Sequence, residues 1–295
     1  MSTSRHEALE AALDWLDRLS EAPGFVARSG EQRPVECESP YAVALVANAW
    51  RHVATSRSPK TPITQWLTQA CDPNGMVRFF GSGSKVIGPD LDDTSMVWAE
   101  RRALTGWSPP SEVLKQTLSS RLAEGAFNTW PSPPESGPAV EVDAVVNANI
   151  LAMLAAMGNG DKAAHAWVQK ALDAIETPEG PQCPYYPDIS MLVLCARRAE
   201  ELGAHPFTYP AFTSFESSTL LGQVTRSLLG DPEALEELLA KQESDGSFPW
   251  APIFVGGDEN QFPDGQALER PWYGGKAAST ALAVWAIADA LGFIA

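Results

Sequence analysis

The feature that most constrains the fold of this chain is the alternation of two kinds of helical pattern. In the first kind, apolar residues recur every three or four positions, so one face of each helix is buried. These amphipathic ranges are 6–19, 62–70, 111–123, 162–175 and 232–241. The second kind is apolar on nearly every side, which predicts helices surrounded by other parts of the protein. Those ranges are 40–50, 92–104, 142–157, 189–199, 217–229 and 277–291.

Outer and inner helices alternate with a period of roughly 45 to 50 residues, which is typical of a solenoid or a closed array of helix pairs. Six inner helices with polar helices outside predict an all-α fold, a single (α/α)6 barrel. One outer helix is missing, because the segment 203–215 is rich in proline and aromatic residues and indicates a loop. No break in composition marks a boundary, so we expect one domain spanning residues 1–295.

The connections after the outer helices share a glycine turn. The four turns are at 72–75, 124–127, 179–181 and 244–248. The longest irregular segment, 243–275, is rich in glycine, proline and aromatic residues. A loop of this length in a compact domain is usually functional. We therefore interpret it as a lid-like loop over one end of the barrel.

The charge of the chain excludes several classes of partner. The 295 residues carry a net charge of −16, which disfavours nucleic acid and anionic membrane surfaces. No apolar run is long enough for a transmembrane segment.

Four scattered cysteines and four scattered histidines predict reduced thiols, a cytoplasmic protein and no metal site. The oligomeric state is left open.

A cluster of acidic residues stands at the start of the second inner helix. Asp90, Asp92 and Asp93 lie within four residues, and apolar or aromatic residues follow at 96–98. Like charges this close cannot all ionise cheaply, so at least one proton should be retained to unusually high pH. A protonated carboxyl beside an apolar wall is a candidate proton donor. The alternative interpretation is a helix cap with an acidic first turn.

Three short stretches resemble one enzyme family. The segment 90–94, Asp-Leu-Asp-Asp-Thr, resembles the Asp-x-Asp-Asp-Thr signature of class II, protonation-initiated terpene cyclases, which include squalene–hopene cyclases and bacterial diterpene cyclases. The segment 242–248 is similar to the Gln–Trp repeat of that superfamily, with Phe248 where tryptophan is usual. The segment 142–151 resembles the inner helix that carries a histidine or asparagine bonded to the catalytic acid, which matches Asn149, with Asn147 as the fallback.

The resemblance implies α/α barrels and an enzyme that starts carbocationic cyclisation by proton transfer. It assigns Asp92 as the proton donor, with Asp90 and Asp93 setting its proton affinity and Asn149 holding it. Well-known members have two or three helical domains, whereas this chain has room for one barrel. The Asp-Asp-x-x-Asp metal motif of ionisation-type terpene synthases is absent from the sequence.

A carbocation needs stabilisation without nucleophiles, which aromatic faces supply in a closed site. The candidate substrate-binding aromatics are Trp98, Trp130, Tyr185, Tyr186, Phe248, Trp250, Trp272 and Tyr273.

Our prediction for the substrate is a C15–C20 prenyl diphosphate or a related prenylated small molecule. A diphosphate would need cations, for which Arg78, Lys85, Arg270 and Lys276 are candidates. Proton transfer itself needs no cofactor, although a diphosphate substrate could bring magnesium with it.

Two other functions compete with the cyclase. An (α/α)6-barrel glycosidase or polysaccharide lyase would use two separated carboxylates, one from the acidic cluster and one from Asp143, Asp188 or Glu216. The inner helices are poor in the polar residues that sugar clefts need. A non-catalytic isoprenoid- or peptide-binding module is the third hypothesis. Prenyltransferase β-subunits share this barrel, but their zinc ligands are not recognisable in the sequence.

Overall fold

The computed structural model describes residues 4–53, 57–131, 140–257, 260–263 and 265–293. Within these residues a helix lies in each of the eleven predicted ranges, with ends that differ by a few residues. They are α1 (Arg5–Leu16), α2 (Pro40–Val53), α3 (Ile63–Gln69), α4 (Leu91–Thr105), α5 (Ser111–Ser119), α6 (Ala144–Ala156), α7 (Lys162–Asp173), α8 (Ser190–Glu201), α9 (Leu220–Leu228), α10 (Pro232–Leu239) and α11 (Lys276–Ala290).

The six apolar helices contact one another in a ring. Helix α2 packs on α4, α4 on α6, α6 on α8, α8 on α9 and α9 on α11, and α11 returns to α2. Of the amphipathic helices, α1 packs on α11, α3 on α2 and α4, α7 on α6 and α8, and α10 on α9 and α11. The ring helices are buried nearly all round, as α6 illustrates, where every residue from Ala144 to Ala155 is buried. In the segment 203–215, where a loop is predicted, the structure has one 3-10 turn, Phe212–Ser214.

The chain is helix-rich but not purely α-helical, which corrects the all-α prediction. The strands are β1 (Gly24–Arg28), β2 (Val35–Glu38), β3 (Val77–Arg78), β4 (Pro89–Asp90), β5 (Pro252–Val255), β6 (Asn260–Gln261), β7 (Ala267–Leu268) and β8 (Trp272–Gly274). Four of them form an antiparallel sheet in the order β2-β1-β8-β5. Strands of two to five residues are too short to give a clear alternating pattern, so periodicity does not detect them.

The segment 243–275, predicted as a lid-like loop, contains β5, β6, β7 and β8. Two of its strands join the four-stranded sheet, where β8 pairs with both β1 and β5. Pairing with β1 ties the segment to the region before α2, more than two hundred residues earlier in the sequence. No helix in the described part of the chain has the length and apolar character needed to cross a bilayer.

Three of the four glycine turns pack directly against another amphipathic helix or its first residues. Gly75, Gly125 and Gly246 have φ angles of 88°, 95° and 94°, which favour glycine. A Cβ on Gly125 would lie 2.9 Å from Ala163 of α7, and one on Gly246 would lie 2.3 Å from the carbonyl oxygen of Ala11 in α1. The last turn therefore packs on the first helix, which joins the two ends of the helical ring.

The fourth turn differs, because Gly180 has a φ of 64° but no atom within 4 Å of a built Cβ. The turn at Gly180 is the one followed by the loop 203–215 in place of an amphipathic helix. Substitutions at Gly180 and Gly246 therefore separate the energetic cost of backbone strain from the cost of a steric clash with neighbouring atoms.

We predict that Gly246→Ala destabilises the protein far more than Gly180→Ala. Gly180→Ala should cost about 1 kcal/mol, the strain of a left-handed alanine. Gly246→Ala adds a clash with backbone and should cost at least about 3 kcal/mol. Urea denaturation of both variants measures the two costs, and equal values would contradict the close packing of the 244–248 turn on α1.

Candidate active site

The acidic cluster lies at the first turn of α4. Asp90 is the N-cap, and its Oδ1 accepts a hydrogen bond from the backbone N–H of Asp93 at 2.7 Å. The short pair of β3 and β4 sets Asp90 opposite Val77. The backbone N–H of Leu91 donates to the carbonyl of Thr129 at 3.0 Å, so the segment before α6 is held beside the helix start. Asp90 thus caps the helix and stays within the cluster.

Asp92 is held by one side chain from α6 and one from the segment before α8. Asn149 of α6 donates from Nδ2 to Asp92 Oδ1 at 2.7 Å, and the hydroxyl of Tyr186 donates to Oδ2. Asn149 also donates to the hydroxyl of Tyr41 at 3.3 Å. Each carboxyl oxygen of Asp92 keeps a further lone pair for a proton or a ligand. Unlike Asp90 and Asp93, Asp92 is only partly buried.

A buried arginine fixes the orientation of Asn149. Arg198 of α8 donates from Nη1 to Asn149 Oδ1 at 2.7 Å and pairs through Nε with Glu100 at 2.7 Å. A guanidinium can only donate, so the amide oxygen of Asn149 must face Arg198 and its NH2 must face Asp92. Glu100 also pairs with Arg51 at 3.2 Å. Sequence reasoning missed Arg198, although an arginine inside an apolar helix is a usable signal.

Burial and mutual repulsion raise the proton affinity of the cluster. Burial, with the charge of Asp92, raises the pKa of Asp90 to about 7. Burial and the charges of Asp90 and Asp92 raise the pKa of Asp93 well above its ordinary value. Burial also raises the pKa of Asp92, while the hydrogen bonds from Tyr186 and Asn149 and the charge of Arg198 act in the opposite direction. The cluster therefore retains protons at neutral pH, and its middle member has donors that stabilise its conjugate base.

Next to the cluster is a cavity of about 270 Å³ with mostly aromatic walls. Phe254 organises one wall: its ring stacks on Tyr273 at 4.8 Å between centroids and meets Phe79 edge-on at 5.1 Å. The cavity is lined by Tyr41, Phe79, Phe80, Ile87, Asp90, Asp92, Asp93, Thr129, Trp130, Val146, Tyr185, Tyr186, Phe254, Val255, Gly256, Gly257 and Tyr273.

Of the eight aromatic residues predicted to bind substrate, four line this cavity: Trp130, Tyr185, Tyr186 and Tyr273. The other four do not line this cavity. Phe248 is fully buried, and its N–H is bonded to Thr280 Oγ1 at 3.0 Å. Trp98 donates from Nε1 to the carbonyl of Gly75 at 2.7 Å. Trp250 lies under the guanidinium of Arg28, and Trp272 is exposed on β8.

Sequence reasoning missed four aromatic residues that line the cavity: Tyr41, Phe79, Phe80 and Phe254. Phe79 and Phe80 follow a glycine turn, and Phe254 lies in the glycine-rich segment, so position near a turn was the available signal. Tyr41 lies at the start of an apolar helix, where an aromatic residue looks like ordinary core.

The predicted diphosphate cations are placed away from the cavity or are already paired. Arg78 donates to Asp72 at 2.6 Å and to the carbonyl of Ile87 at 3.2 Å. Lys276 pairs with Glu243. Lys85 and Arg270 are exposed, and neither is among the residues that line the cavity.

The remaining candidates have structural partners. Asn147, the fallback for Asn149, bonds both the N–H and the carbonyl of Phe127, at 2.7 and 3.1 Å. Asp143, one of the second carboxylates of the glycosidase hypothesis, caps α6 through the N–H groups of Val145 and Val146. Asp188 and Glu216 do not line the cavity, and Glu216 is exposed. Across the described ranges, no group of three or more His, Cys, Asp or Glu is arranged to hold a metal ion.

We predict that Arg198→Met is strongly destabilising, by about 3 kcal/mol, because it leaves the buried Glu100 with one partner and Asn149 without its orienting donor. The matched control is Arg5→Met, whose ion pair with Glu236 is exposed and whose loss should cost less than about 1 kcal/mol. Chemical denaturation of both variants checks this. If Arg198→Met lowered the free energy of unfolding as little as Arg5→Met does, the contacts of Arg198 with Glu100 and Asn149 would not be needed for stability.

Stability should also fall as pH rises from about 4 to 8. Burial, together with the charge of Asp92, raises the pKa of Asp143 to about 7. The same two causes raise the pKa of Asp90 to about 7. A raised folded-state pKa means that the folded protein binds more protons than the unfolded chain in this window, so stability is lost as pH rises through it. Asp143→Asn keeps an acceptor for the cap and should show a smaller loss between pH 5 and 8. An unchanged pH slope in denaturation curves would refute this origin.

Comparison with known proteins gives a structural likeness and no sequence match. No family model matches the chain, and no curated protein matches it. The type II terpene cyclase MstE from Scytonema superposes over 98% of this chain and 98% of its own, with a TM-score of 0.61 and 11% identity. A variant of that cyclase was solved with geranylgeranyl dihydroxybenzoate, named as its substrate, with a TM-score of 0.60 and 11% identity over 98% of this chain and 97% of that one.

A protein from Actinoplanes superposes over 96% of this chain and 98% of its own, with a TM-score of 0.62 and 15% identity. At such identities the likeness concerns the fold alone. The predicted resemblance to a terpene cyclase fold is confirmed over nearly the whole chain, which is helix-rich and also contains some sheet.

Proposed function

We propose that this protein is a class II terpene cyclase that protonates an isoprenoid alkene and so starts carbocationic cyclisation. The observation that carries the proposal is the position of Asp92, which is partly accessible beside an aromatic-walled cavity while Asp90 and Asp93 are buried behind it. We further propose that the helical ring and its outer helices form an (α/α)6 barrel with five outer helices, in one domain spanning 1–295. The segment 243–275 serves as the lid, since Phe254 and Tyr273 belong to the cavity wall.

In this mechanism Asp92 gives its carboxylic proton to the terminal carbon of the alkene. The π electron pair forms the new C–H bond, and the adjacent tertiary carbon becomes the cation. Tyr186 and Asn149 donate to the two oxygens of the aspartate that remains, which makes Asp92 a stronger acid. Arg198 supports this arrangement through Asn149 and does not itself contact the cavity.

The aromatic walls suit the cation that forms. Ring faces attract positive charge and offer no nucleophile that would end the reaction early. Proton transfer needs no cofactor in this mechanism. The described residues around the cavity do not suit a magnesium diphosphate, because the carboxyls of the cluster have raised pKa values and the candidate cations lie elsewhere. Of the C15–C20 substrates predicted, a prenylated small molecule fits better than a prenyl diphosphate.

The glycosidase hypothesis is less favoured. Its second carboxylates do not line the cavity, and the walls carry few of the hydrogen-bonding groups that a sugar requires. An isoprenoid-binding module without catalysis would not need three carboxyls with raised proton affinity at the cavity wall.

We predict that Asp92→Asn abolishes turnover. The protein would be incubated with farnesyl diphosphate, geranylgeranyl diphosphate, squalene and geranylgeranyl dihydroxybenzoate, with and without Mg²⁺, and products analysed by gas chromatography–mass spectrometry. A cyclic product should fall at least about 100-fold in the variant, the usual minimum contribution of a general acid.

The matched control is Asp245→Asn, which removes an exposed turn carboxyl outside the cavity and should retain activity. Turnover that survives Asp92→Asn in a normally folded protein would assign the acid to another group. No consumption of any of the four substrates by the wild-type protein would count against the cyclase.

A further inference from the structure

The cavity has a closed end and a mouth. Asp92 is itself partly exposed, but Tyr186 donates to it and Asn149 donates both to it and to Tyr41. Because both tyrosines are buried, the closed end lies there. Trp130 and Tyr185 are only partly buried, and Gly257 is exposed, so these residues mark the mouth. If Asp92 protonates the distal alkene, as the proposed function requires, the opposite end of the prenyl chain lies at the mouth. The residues there select the head group of the substrate.

Tyr185 offers the mouth a hydrogen-bond acceptor. Its hydroxyl donates to Glu141 Oε1, which also accepts from Trp130 Nε1 at 2.9 Å. Because the Tyr185 proton lies in that bond, its oxygen has only lone pairs left for a ligand. The carboxylate partner polarises the phenol and makes this oxygen a stronger acceptor. A group that bonds Tyr185 must therefore be a donor.

Thr129 provides a second polar group on the same wall. Its Oγ1 is buried and has no hydrogen-bond partner among the described residues, although Thr129 lines the cavity. Leaving a buried hydroxyl unsatisfied costs about 1–3 kcal/mol. The N–H of Thr129 is bonded to the carbonyl of Glu141 at 2.8 Å, and the side chain of Glu141 accepts from Tyr185, so Glu141 connects the two segments that carry Thr129 and Tyr185. A ligand that reaches this wall would supply the hydrogen-bond partner that the Thr129 hydroxyl lacks.

The charge around this site opposes an anion. None of the residues that line the cavity in the described part of the chain is a lysine or arginine. The sequence has no lysine or arginine at any position outside the described ranges. Glu141 adds a carboxylate immediately behind Tyr185 and Trp130. A diphosphate would be repelled here, whereas a neutral donor would not.

We infer that the substrate carries an uncharged hydrogen-bond-donor head group, an alcohol or phenol hydroxyl or an indole N–H, which donates to the oxygen of Tyr185 and is supported by the hydroxyl of Thr129. The inference rests on the proposed function for the direction in which the prenyl chain lies. It distinguishes this protein from an enzyme that takes prenyl diphosphates.

The test measures binding in the Asp92→Asn variant, so that no turnover interferes. Isothermal titration calorimetry would compare geranylgeraniol, its methyl ether and geranylgeranyl diphosphate, the last with and without Mg²⁺. The alcohol can donate and the ether cannot, at nearly equal apolar surface. We expect the alcohol to bind about three- to tenfold tighter than the ether, the range for one net hydrogen bond, and at least about tenfold tighter than the diphosphate.

Adding Tyr185→Phe should bring the alcohol-to-ether affinity ratio to about 1 while leaving the ether affinity little changed. Tyr209→Phe is the matched control, since it removes a phenol that does not line the cavity and should preserve the ratio. Glu141→Gln gives an independent check that does not depend on the folding of Tyr185→Phe. It retains the Tyr185 hydroxyl, removes the negative charge, and should both reduce the ratio and improve diphosphate binding.

The inference is overturned by a diphosphate that binds as tightly as the alcohol, or by an alcohol-to-ether ratio that survives Tyr185→Phe. It is equally overturned by a ratio that is lost in the Tyr209→Phe control, or by the failure of all three probes to bind. Its failure is distinguishable from failure of the proposed function. A wild-type protein that binds with the expected ratio but converts no substrate would retain the head-group site and lose the cyclase. A protein that converts substrate but does not show the expected alcohol-to-ether ratio would retain the cyclase function and lose the head-group site.

Discussion

The buried chain of contacts from Glu100 through Arg198 and Asn149 to Asp92 is the interaction on which the site depends. An arginine in the interior must be paired, and Glu100 supplies the charge. Arg198 also donates to the amide oxygen of Asn149, so the NH2 group of that amide must face Asp92. An NH2 donor in that position stabilises the deprotonated form of Asp92. The charge of Arg198 thus acts on Asp92 through the neutral amide of Asn149, which stabilises the conjugate base without placing a permanent cation in contact with the acid.

The fold supplies the conditions under which such an arrangement is stable. Asp92 lies on α4, Asn149 on α6 and Arg198 on α8, three helices that are consecutive in the ring. Small residues in these helices allow close approach, and glycine turns such as the one at Gly246 hold the outer helices against one another. The hydrogen bonds of Asn149 to Asp92 and of Arg198 to Asn149 therefore connect helices, whereas Tyr186, the second donor to Asp92, lies in the irregular segment before α8.

The two ends of the cavity have opposite chemical character. At the closed end, the donors Tyr186 and Asn149 point at a carboxyl with raised pKa, which suits release of a proton. At the mouth, Glu141 draws the proton of Tyr185 away from the cavity and leaves an acceptor. Aromatic faces fill the space between. An isoprenoid with a polar group at one end and an alkene at the other matches this gradient.

The sequence by itself determined the helices and the acidic cluster, because both are local patterns. Apolar spacing within a helix reports its burial, and Asp90, Asp92 and Asp93 are neighbours at a helix start in any packing. Asn149 was predicted from a resemblance, and its contact with Asp92 agrees with that register. The short strands escaped prediction since a few residues give no measurable period. The role of Arg198, the exclusion of Trp98 and Phe248, and the recruitment of Phe79, Phe254 and Tyr41 were decided only by the tertiary structure. These outcomes depend on which side of an almost uniformly apolar helix or a short strand faces the cavity, and only the packing of distant segments settles that.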